Sequence, residues 1–350
     1  MGKNASEDNG KRSMKAWVLE QTGPVETRPL KLTRLPIPEP QTGQILIKVS
    51  ACGICRTDLH VVEGELEKRL SPVIPGHQIV GTVTAVGEKV EKFKTGQRVG
   101  VAWLHQTCGK CRFCLSGREN LCSDAEFTGW TRNGGLAEYV AADADFIYQL
   151  PEGFPDTKAA PLLCAGIIGY RALKLTGIEN WGNARLGIYG FGAAGHVSIQ
   201  IARSRGARVF VATRDRQRHQ KLAGELGAVW VGDTFDSPPE PLDAAIIFAP
   251  AGEIVPVALE ALDKGGTLVL GGIHMSPIPE FTYRLIYGER VIRSVANNTR
   301  ADGQEFLEEA ARIPVETSVR PFPFEEVPEA LIALKTDAIR GAGVILVGDR

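Results

Sequence analysis

Alternation of apolar and polar residues begins at Met14-Lys15-Ala16-Trp17, after a mostly polar stretch from Met1 to Ser13. That pattern places residues 1–13 outside the fold as an extension or leader, without the apolar core that a secretory signal needs. Met1-Gly2 followed by Ser6 fits the myristoylation pattern, which is too short to carry an anchor by itself. Further along, Ala184 to Tyr189 reads as a short strand, and His196 to Arg205 has helical periodicity. A second strand pattern follows at Ala207 to Ala212, with others at Asp243 to Phe248 and Thr267 to Leu270. Strands alternating with helices predict an α/β fold, with a doubly wound parallel sheet over about 167–296.

A chain of 350 residues allows two ordinary domains and makes a single small core a poor expectation. With 43% hydrophobic and 23% charged residues, it has the balance of a soluble globular protein. Forty basic against 41 acidic side chains leave a net charge of -1, so no overall field attracts nucleic acid or an acidic membrane. The longest apolar stretch, Ala159 to Ile168, is much shorter than the roughly eighteen residues that span a bilayer. A cytoplasmic protein is expected.

Four of the seven cysteines, Cys108, Cys111, Cys114 and Cys122, lie within fifteen residues. Two-residue gaps let successive thiolates converge, and a seven-residue return brings in the fourth. The spacing predicts a closed structural zinc site, holding together a lobe over 108–122. Disulfides and an iron-sulfur cluster are the competing readings. A catalytic zinc needs three protein ligands and an open corner, which Cys55, His77 and Cys164 could supply. Each lies beside small or turn-forming residues: Gly53, Pro75-Gly76 and Ala165-Gly166. Taken alone, Cys164 in Leu162-Leu163-Cys164-Ala165 reads more often as a core residue than as a ligand.

The strand at Ala184 to Tyr189 runs into Gly190-Phe191-Gly192-Ala193-Ala194-Gly195 and then the helix, the order a dinucleotide-binding fingerprint requires. Gly190 permits the tight turn, Gly192 the approach of the pyrophosphate, and Gly195 close packing of helix on strand. Free N–H groups of Ala193 and Ala194 at the helix start would face the phosphates. Where an acidic residue would hold the ribose hydroxyls of NAD, the chain has Thr213-Arg214, with Asp215 later and Arg216 and Arg218 following. A hydroxyl and guanidinium groups suit a 2'-phosphate, so Thr213, Arg214 and Arg218 favour NADP over NAD. In the competing reading the arginines are a solvated helix start and Asp215 swings in to bind NAD.

From Met14 onward the chain resembles the zinc-dependent alcohol dehydrogenases of the medium-chain dehydrogenase/reductase superfamily. The resemblance rests on Cys52-Gly53-Ile54-Cys55-Arg56-Thr57-Asp58-Leu59-His60, Pro75-Gly76-His77, the four-cysteine lobe, Gly134-Gly135-Leu136-Ala137-Glu138-Tyr139 and the glycine fingerprint. It implies a GroES-like catalytic domain of residues 14–166 with 297–350, and a Rossmann cofactor domain of 167–296. It also implies two zinc ions per chain, one held by Cys55, His77 and Cys164, with Cys52 a small buried filler. A homodimer or homotetramer follows from the same resemblance, with cofactor domains pairing across sheet edges.

The implied reaction is reversible hydride transfer between an alcohol and a nicotinamide, made possible because zinc lowers the pKa of the hydroxyl. Thr57 and His60 match the family's proton relay, which runs through the nicotinamide ribose to solvent; a solvated surface role for His60 competes. Asp58 resembles the carboxylate that orients His77. His105, His196, His219 and His274 lie in no motif. Gln78 replaces the usual glutamate after the zinc histidine, which should leave the metal somewhat more electrophilic and puts in doubt any ligand exchange that depends on a nearby carboxylate. Cys164 stands where polyol dehydrogenases commonly carry glutamate, which argues for simple alcohols.

Trp103 resembles the family's pocket-lining aromatic, and Trp130 extends that wall or belongs to the core. A narrow apolar slot favours primary aliphatic or aromatic alcohols and their aldehydes. Two rivals share the scaffold: a zinc-free quinone or enoyl reductase, and a non-catalytic nucleotide sensor. The three ligand residues oppose the first, and the retained relay residues oppose the second.

Overall fold

The computed structural model describes residues 12–67, 69–313 and 315–348, so residues 1–11 of the expected extension lie outside it. The first strand, Ser13–Leu19, opens one residue before the Met14 alternation, because Ser13 already pairs with Pro36 of Leu30–Pro36.

Two large sheets organise the chain. One is mixed and is built on the long strand Gln44–Ile54, which pairs antiparallel with Gln78–Val86, Tyr139–Asp143 and, from the far end of the chain, Ala342–Leu346. Arg98–Val101, Ile147–Gln149 and Val319–Pro323 complete it. Ile45, Ile47, Val49, Ile79 and Val83 are buried in one cluster, as period-two strands with one core face require. The carboxyl-terminal strand thus returns to the amino-terminal sheet, as the resemblance implies.

The other sheet has six parallel strands. In chain order they are Arg185–Tyr189, Arg208–Ala212, Trp230–Gly232, Leu242–Ile247, Leu262–Leu270 and Val291–Ser294. Across the sheet their order is third, second, first, fourth, fifth, sixth. The order reverses beside Arg185–Tyr189, and a dinucleotide binds in the crevice at such a reversal. Buried Leu186, Ile188, Val209, Val211, Ala244 and Ile246 read as the near-continuous apolar runs of strands covered on both faces.

Helix Arg300–Arg312, past the expected boundary at residue 297, packs against helix Ala165–Leu175. The ring of Phe306 fills the space beside Gly166, where a Cβ would come within 2.4 Å, and it packs 6.0 Å from the ring of Tyr170. Arg171 also pairs with the buried Asp302. The helix therefore covers Ala165–Leu175, and the chain enters the mixed sheet only after it, at Val319–Pro323.

Candidate active site and metal centres

The strand Gln44–Ile54 ends directly before Cys55, which caps helix Arg56–Glu63. Asp58, three residues on, closes the cap by accepting the Cys55 N–H on Oδ2 at 2.8 Å. Its other oxygen, Oδ1, lies 3.1 Å from Nδ1 of His77, which stands just before Gln78–Val86. Both side chains are buried. A carboxylate at Nδ1 fixes that nitrogen as the donor and leaves Nε2 free to face the metal position. Cys164 arrives from a bend between Ala160–Leu163 and helix Ala165–Leu175.

His77 Nε2 lies 3.4 Å from Cys55 Sγ and 3.3 Å from Cys164 Sγ, and the two sulfurs are 3.9 Å apart. Tetrahedral zinc with bonds of about 2.3 Å to sulfur and 2.0–2.1 Å to nitrogen needs edges of about 3.8 and 3.6 Å. The donors match that geometry without moving far. Burial opposes protonation of His77, but the charges of Asp58 and Cys55 outweigh it and push its pKa up to about 10. The Cys164 thiol, with the charge of His77, outweighs burial and holds Cys55 well below the ordinary thiol value, while Cys55 and burial together raise Cys164. Zinc takes its sulfur ligands as thiolates and its imidazole as neutral, so zinc uptake at the triad releases protons.

Cys108, Cys111, Cys114 and Cys122 form a second cluster, with Sγ separations of 3.5 Å for Cys111–Cys114 and Cys108–Cys122, and 3.9 Å for Cys108–Cys114. Four sulfurs at these distances suit a closed tetrahedral zinc site. Backbone N–H groups of Lys110 and Cys111 pull the Cys108 thiol down to about 7, favouring the thiolate that a metal requires. The lobe docks on the cleft floor: Glu119 accepts from Arg300 N and Nε at 2.9 Å, and Asn120 Nδ2 donates to Ala296 O at 2.7 Å.

Between the two sheets lies a cleft of about 910 Å³ that contains Cys55, His77 and Cys164 at one end. Thr57, His60 and Trp103 line it there, and Gly190, Gly192, Ala193, Ala194, Thr213 and Arg214 line its other reach. Gly190 has φ 86°, and its N–H donates to Ala212 O at 2.9 Å. A Cβ on Gly192 would meet nothing within 4 Å, which leaves room for a phosphate above helix Ala193–Ser204, whose start no side chain caps. A Cβ on Gly195 would come within 2.9 Å of Gly190 O, the close helix-strand packing expected there. The cradle therefore fits a dinucleotide.

Two expected contacts fall outside the cleft wall. Trp130 stacks behind Trp103, ring centroids 5.8 Å apart and nearly parallel, and its Nε1 donates to Glu67 O. Being a second layer, it buttresses the indole that does line the cleft. Arg218 is held by the Asp215 carboxylate and the Asp337 carbonyl, which keep its guanidinium off the wall. Asp215 itself caps the next turn, accepting from Gln217 N and Arg218 N.

Other wall residues went unassigned in the sequence. His274 faces His60 with ring centroids 5.3 Å apart, and Nδ1 of His60 also contacts Glu65. Arg56, Asn297 and Asp337 line the same cleft. Arg56 carried a usable signal, since it sits inside the Cys55-Arg56-Thr57-Asp58 motif; the others are placed by distant segments. Gln78 is buried, with its amide nitrogen unpartnered and its amide oxygen close against Gly53.

Comparisons with known proteins agree with this geometry. Residues 41–152 match the family described as alcohol dehydrogenase GroES-like domain, and residues 193–312 match zinc-binding dehydrogenase. A probable alcohol dehydrogenase of Mycobacterium tuberculosis is 46% identical over 341 residues, covering 96% of this chain and 98% of that one. An alcohol dehydrogenase of Geobacillus stearothermophilus is 35% identical, covering 95% of this chain and all of its own. A solved cinnamyl alcohol dehydrogenase of Sorghum bicolor superimposes with TM-score 0.88 at 29% identity, covering 97% of this chain and 99% of that one. The chain belongs to the zinc-dependent alcohol dehydrogenases of the medium-chain dehydrogenase/reductase superfamily.

Proposed function

We propose that this alcohol dehydrogenase interconverts primary aliphatic or aromatic alcohols and their aldehydes, with NADP the preferred cofactor. The observation that carries the reading is the convergence of Cys55, His77 and Cys164 at one end of the cleft that the glycine loop also lines. Those three side chains would hold a zinc ion, which would supply the Lewis acidity that lowers the pKa of an alcohol hydroxyl and polarises an aldehyde carbonyl, and the glycine loop would hold the nicotinamide cofactor that supplies hydride chemistry.

The remaining work falls to side chains of the chain itself. Asp58 orients His77, and Trp103 packs edge-on to that imidazole at 5.0 Å between centroids, which excludes water from one side of the triad. Phe127 stacks 5.2 Å from Trp103 and stiffens the wall. A rigid indole beside the triad favours slender primary alcohols, and steric selection of this kind is worth about 1–3 kcal/mol per misfitting methylene. The Sorghum relative is named for cinnamyl alcohol, and a flat aromatic alcohol suits the same wall. Thr57 lines the cleft beside Cys55 and takes the substrate's proton. His60, buried at the cleft wall against Glu65 and His274, passes it outward.

Thr213 and Arg214 support NADP because they stand on the wall while Asp215 is committed to its cap and to Arg218. A second copy of the chain is the expected partner. The edge strand Val291–Ser294 has exposed Val291 and Ile292, beside exposed Tyr283 and Tyr287, and an open apolar edge is a pairing surface. An Ile292→Glu variant that sediments as a smaller species than the parent supports that edge; an unchanged species rejects it. Among the described residues no helix is long and apolar enough to cross a membrane. The six cysteines grouped in two clusters suit a reducing, cytoplasmic compartment.

The deciding experiment is a panel of primary, secondary and aromatic alcohols, each assayed with both nicotinamide cofactors. The reading expects the highest kcat/KM for primary or benzylic alcohols with NADP. A preference for secondary alcohols, or for NAD, contradicts the corresponding half.

A further inference from the structure

Three guanidinium groups from two parts of the chain converge on one residue at the cleft wall. Asp337 follows helix Val327–Lys335, in a turn where its backbone takes φ 53°. Its Oδ1 contacts Arg56, at the start of the helix that follows Cys55. Its Oδ2 accepts from Arg214 Nη2 at 2.7 Å, and its carbonyl oxygen accepts from Arg218. Asp337, Arg56 and Arg214 all line the cleft. Arg214 and Arg218 come from the loop after the second parallel strand, whereas Asp337 belongs to the segment that returns to the mixed sheet. The residue therefore ties the two sides of the cleft together, through Arg214 and Arg218 on one side and its own segment on the other.

A group of arginines at the wall of a nucleotide cleft is an anion site, and here the anion is part of the protein. We propose that Asp337 is a specificity-determining residue that competes with the adenosine 2'-phosphate of the cofactor for Arg214. This inference rests on the placement of the cofactor's adenosine end beside Thr213 and Arg214. A carboxylate already bound to the guanidinium offsets its charge and repels an approaching phosphate, which carries close to two negative charges at neutral pH. A cofactor lacking that phosphate meets no such repulsion. Asp337 thus lowers the affinity for the phosphorylated dinucleotide and leaves that for the other nearly unchanged.

The contact is built to be displaced. The side chain of Arg214 is 76% exposed and that of Asp337 32% exposed, and ion pairs open to water are individually weak. A phosphate can capture Arg214 because it offers more charge and more acceptor oxygens than one carboxylate. The two sides are then tied at Asp337 by Arg218 alone, through the Asp337 carbonyl, so binding of the phosphorylated cofactor loosens one of the ties between them.

The test uses zinc-loaded enzyme and measures equilibrium binding of NADPH, NADH and adenosine 2'-monophosphate to the parent and to Asp337→Asn. Asparagine accepts the left-handed backbone at this position, and Asp337→Gly serves as a second variant on the same grounds. The expected result is a three- to ten-fold gain in affinity for NADPH and for adenosine 2'-monophosphate, with less than a two-fold change for NADH. The gain should vanish in an Arg214→Ala background. A variant that binds NADPH more weakly, or that shifts NADPH and NADH equally, overturns the inference. The parent's own preference is read separately: if it binds NADH more tightly than NADPH, the NADP reading fails, while a selective gain in Asp337→Asn still upholds the role of Asp337.

Discussion

Asp58 and His77 form a buried pair, Oδ1 to Nδ1 at 3.1 Å, in which one carboxylate both caps a helix and aims an imidazole. The arrangement makes the position of the metal ligand depend on the start of helix Arg56–Glu63. Replacing Asp58 with Asn keeps the shape and removes the charge. Loss of such a partner typically costs about 10–100-fold in metal affinity. Asp58→Asn should therefore release the catalytic zinc at a correspondingly lower chelator concentration, followed by metal analysis during dialysis against graded chelator. An unchanged release profile would remove Asp58 from the account.

The four-sulfur lobe should be separable from the reaction centre. Cys111→Ser is expected to drop the zinc content from two to one per chain and to lower the apparent melting temperature by several degrees, because a closed site contributes directly to folding. Turnover per remaining folded molecule should fall less than in any variant of Cys55, His77 or Cys164. Metal analysis together with thermal denaturation checks both halves.

Docking of that lobe should be sensitive to acid. Burial raises the pKa of Glu119, but its hydrogen bonds to Arg300 outweigh burial and hold it below the ordinary 4.5. A depressed carboxylate stabilises the fold fully above its unfolded pKa, and that contribution disappears as pH falls through the lower folded value. The parent should therefore be more stable than Glu119→Gln near pH 7, by about 1–3 kcal/mol for hydrogen bonds to a charged group. The difference should narrow below about pH 4.5. Denaturation curves at several pH values test the sign; a gap that widens in acid contradicts it.

Much of this was written in the chain before any coordinates. Gly190 to Gly195 announced the cofactor turn because glycine is required where φ is 86° and where a helix must touch its strand. Cys108 to Cys122 were legible because their spacing is local. The triad was less so: Cys164 is remote from His77, and only family resemblance raised it above a core residue. Side-chain direction was beyond reach. Trp130 and Arg218 point away from the wall because nearer partners, Glu67 O and the Asp215 carboxylate, satisfy them first. Asp337 gave no sequence signal, since its arginine partners come from two other parts of the chain.

Cofactor choice is testable at Arg214. A charge-assisted hydrogen bond of about 1.5–3 kcal/mol corresponds to about ten- to hundred-fold in affinity. Arg214→Ala should raise the KM for NADP by that order and leave the KM for NAD within two-fold. Equal losses with both cofactors would place the side chain elsewhere than beside the ribose phosphate.

The central claim is that zinc at Cys55, His77 and Cys164 is the reacting metal, and it is tested most directly by zinc content and alcohol oxidation measured together on Cys55→Ala. The account predicts one zinc per chain, an intact four-sulfur lobe and loss of turnover by at least about three orders of magnitude, as removal of a metal worth several kcal/mol to the transition state requires. Two zinc ions per chain with full oxidation would contradict it.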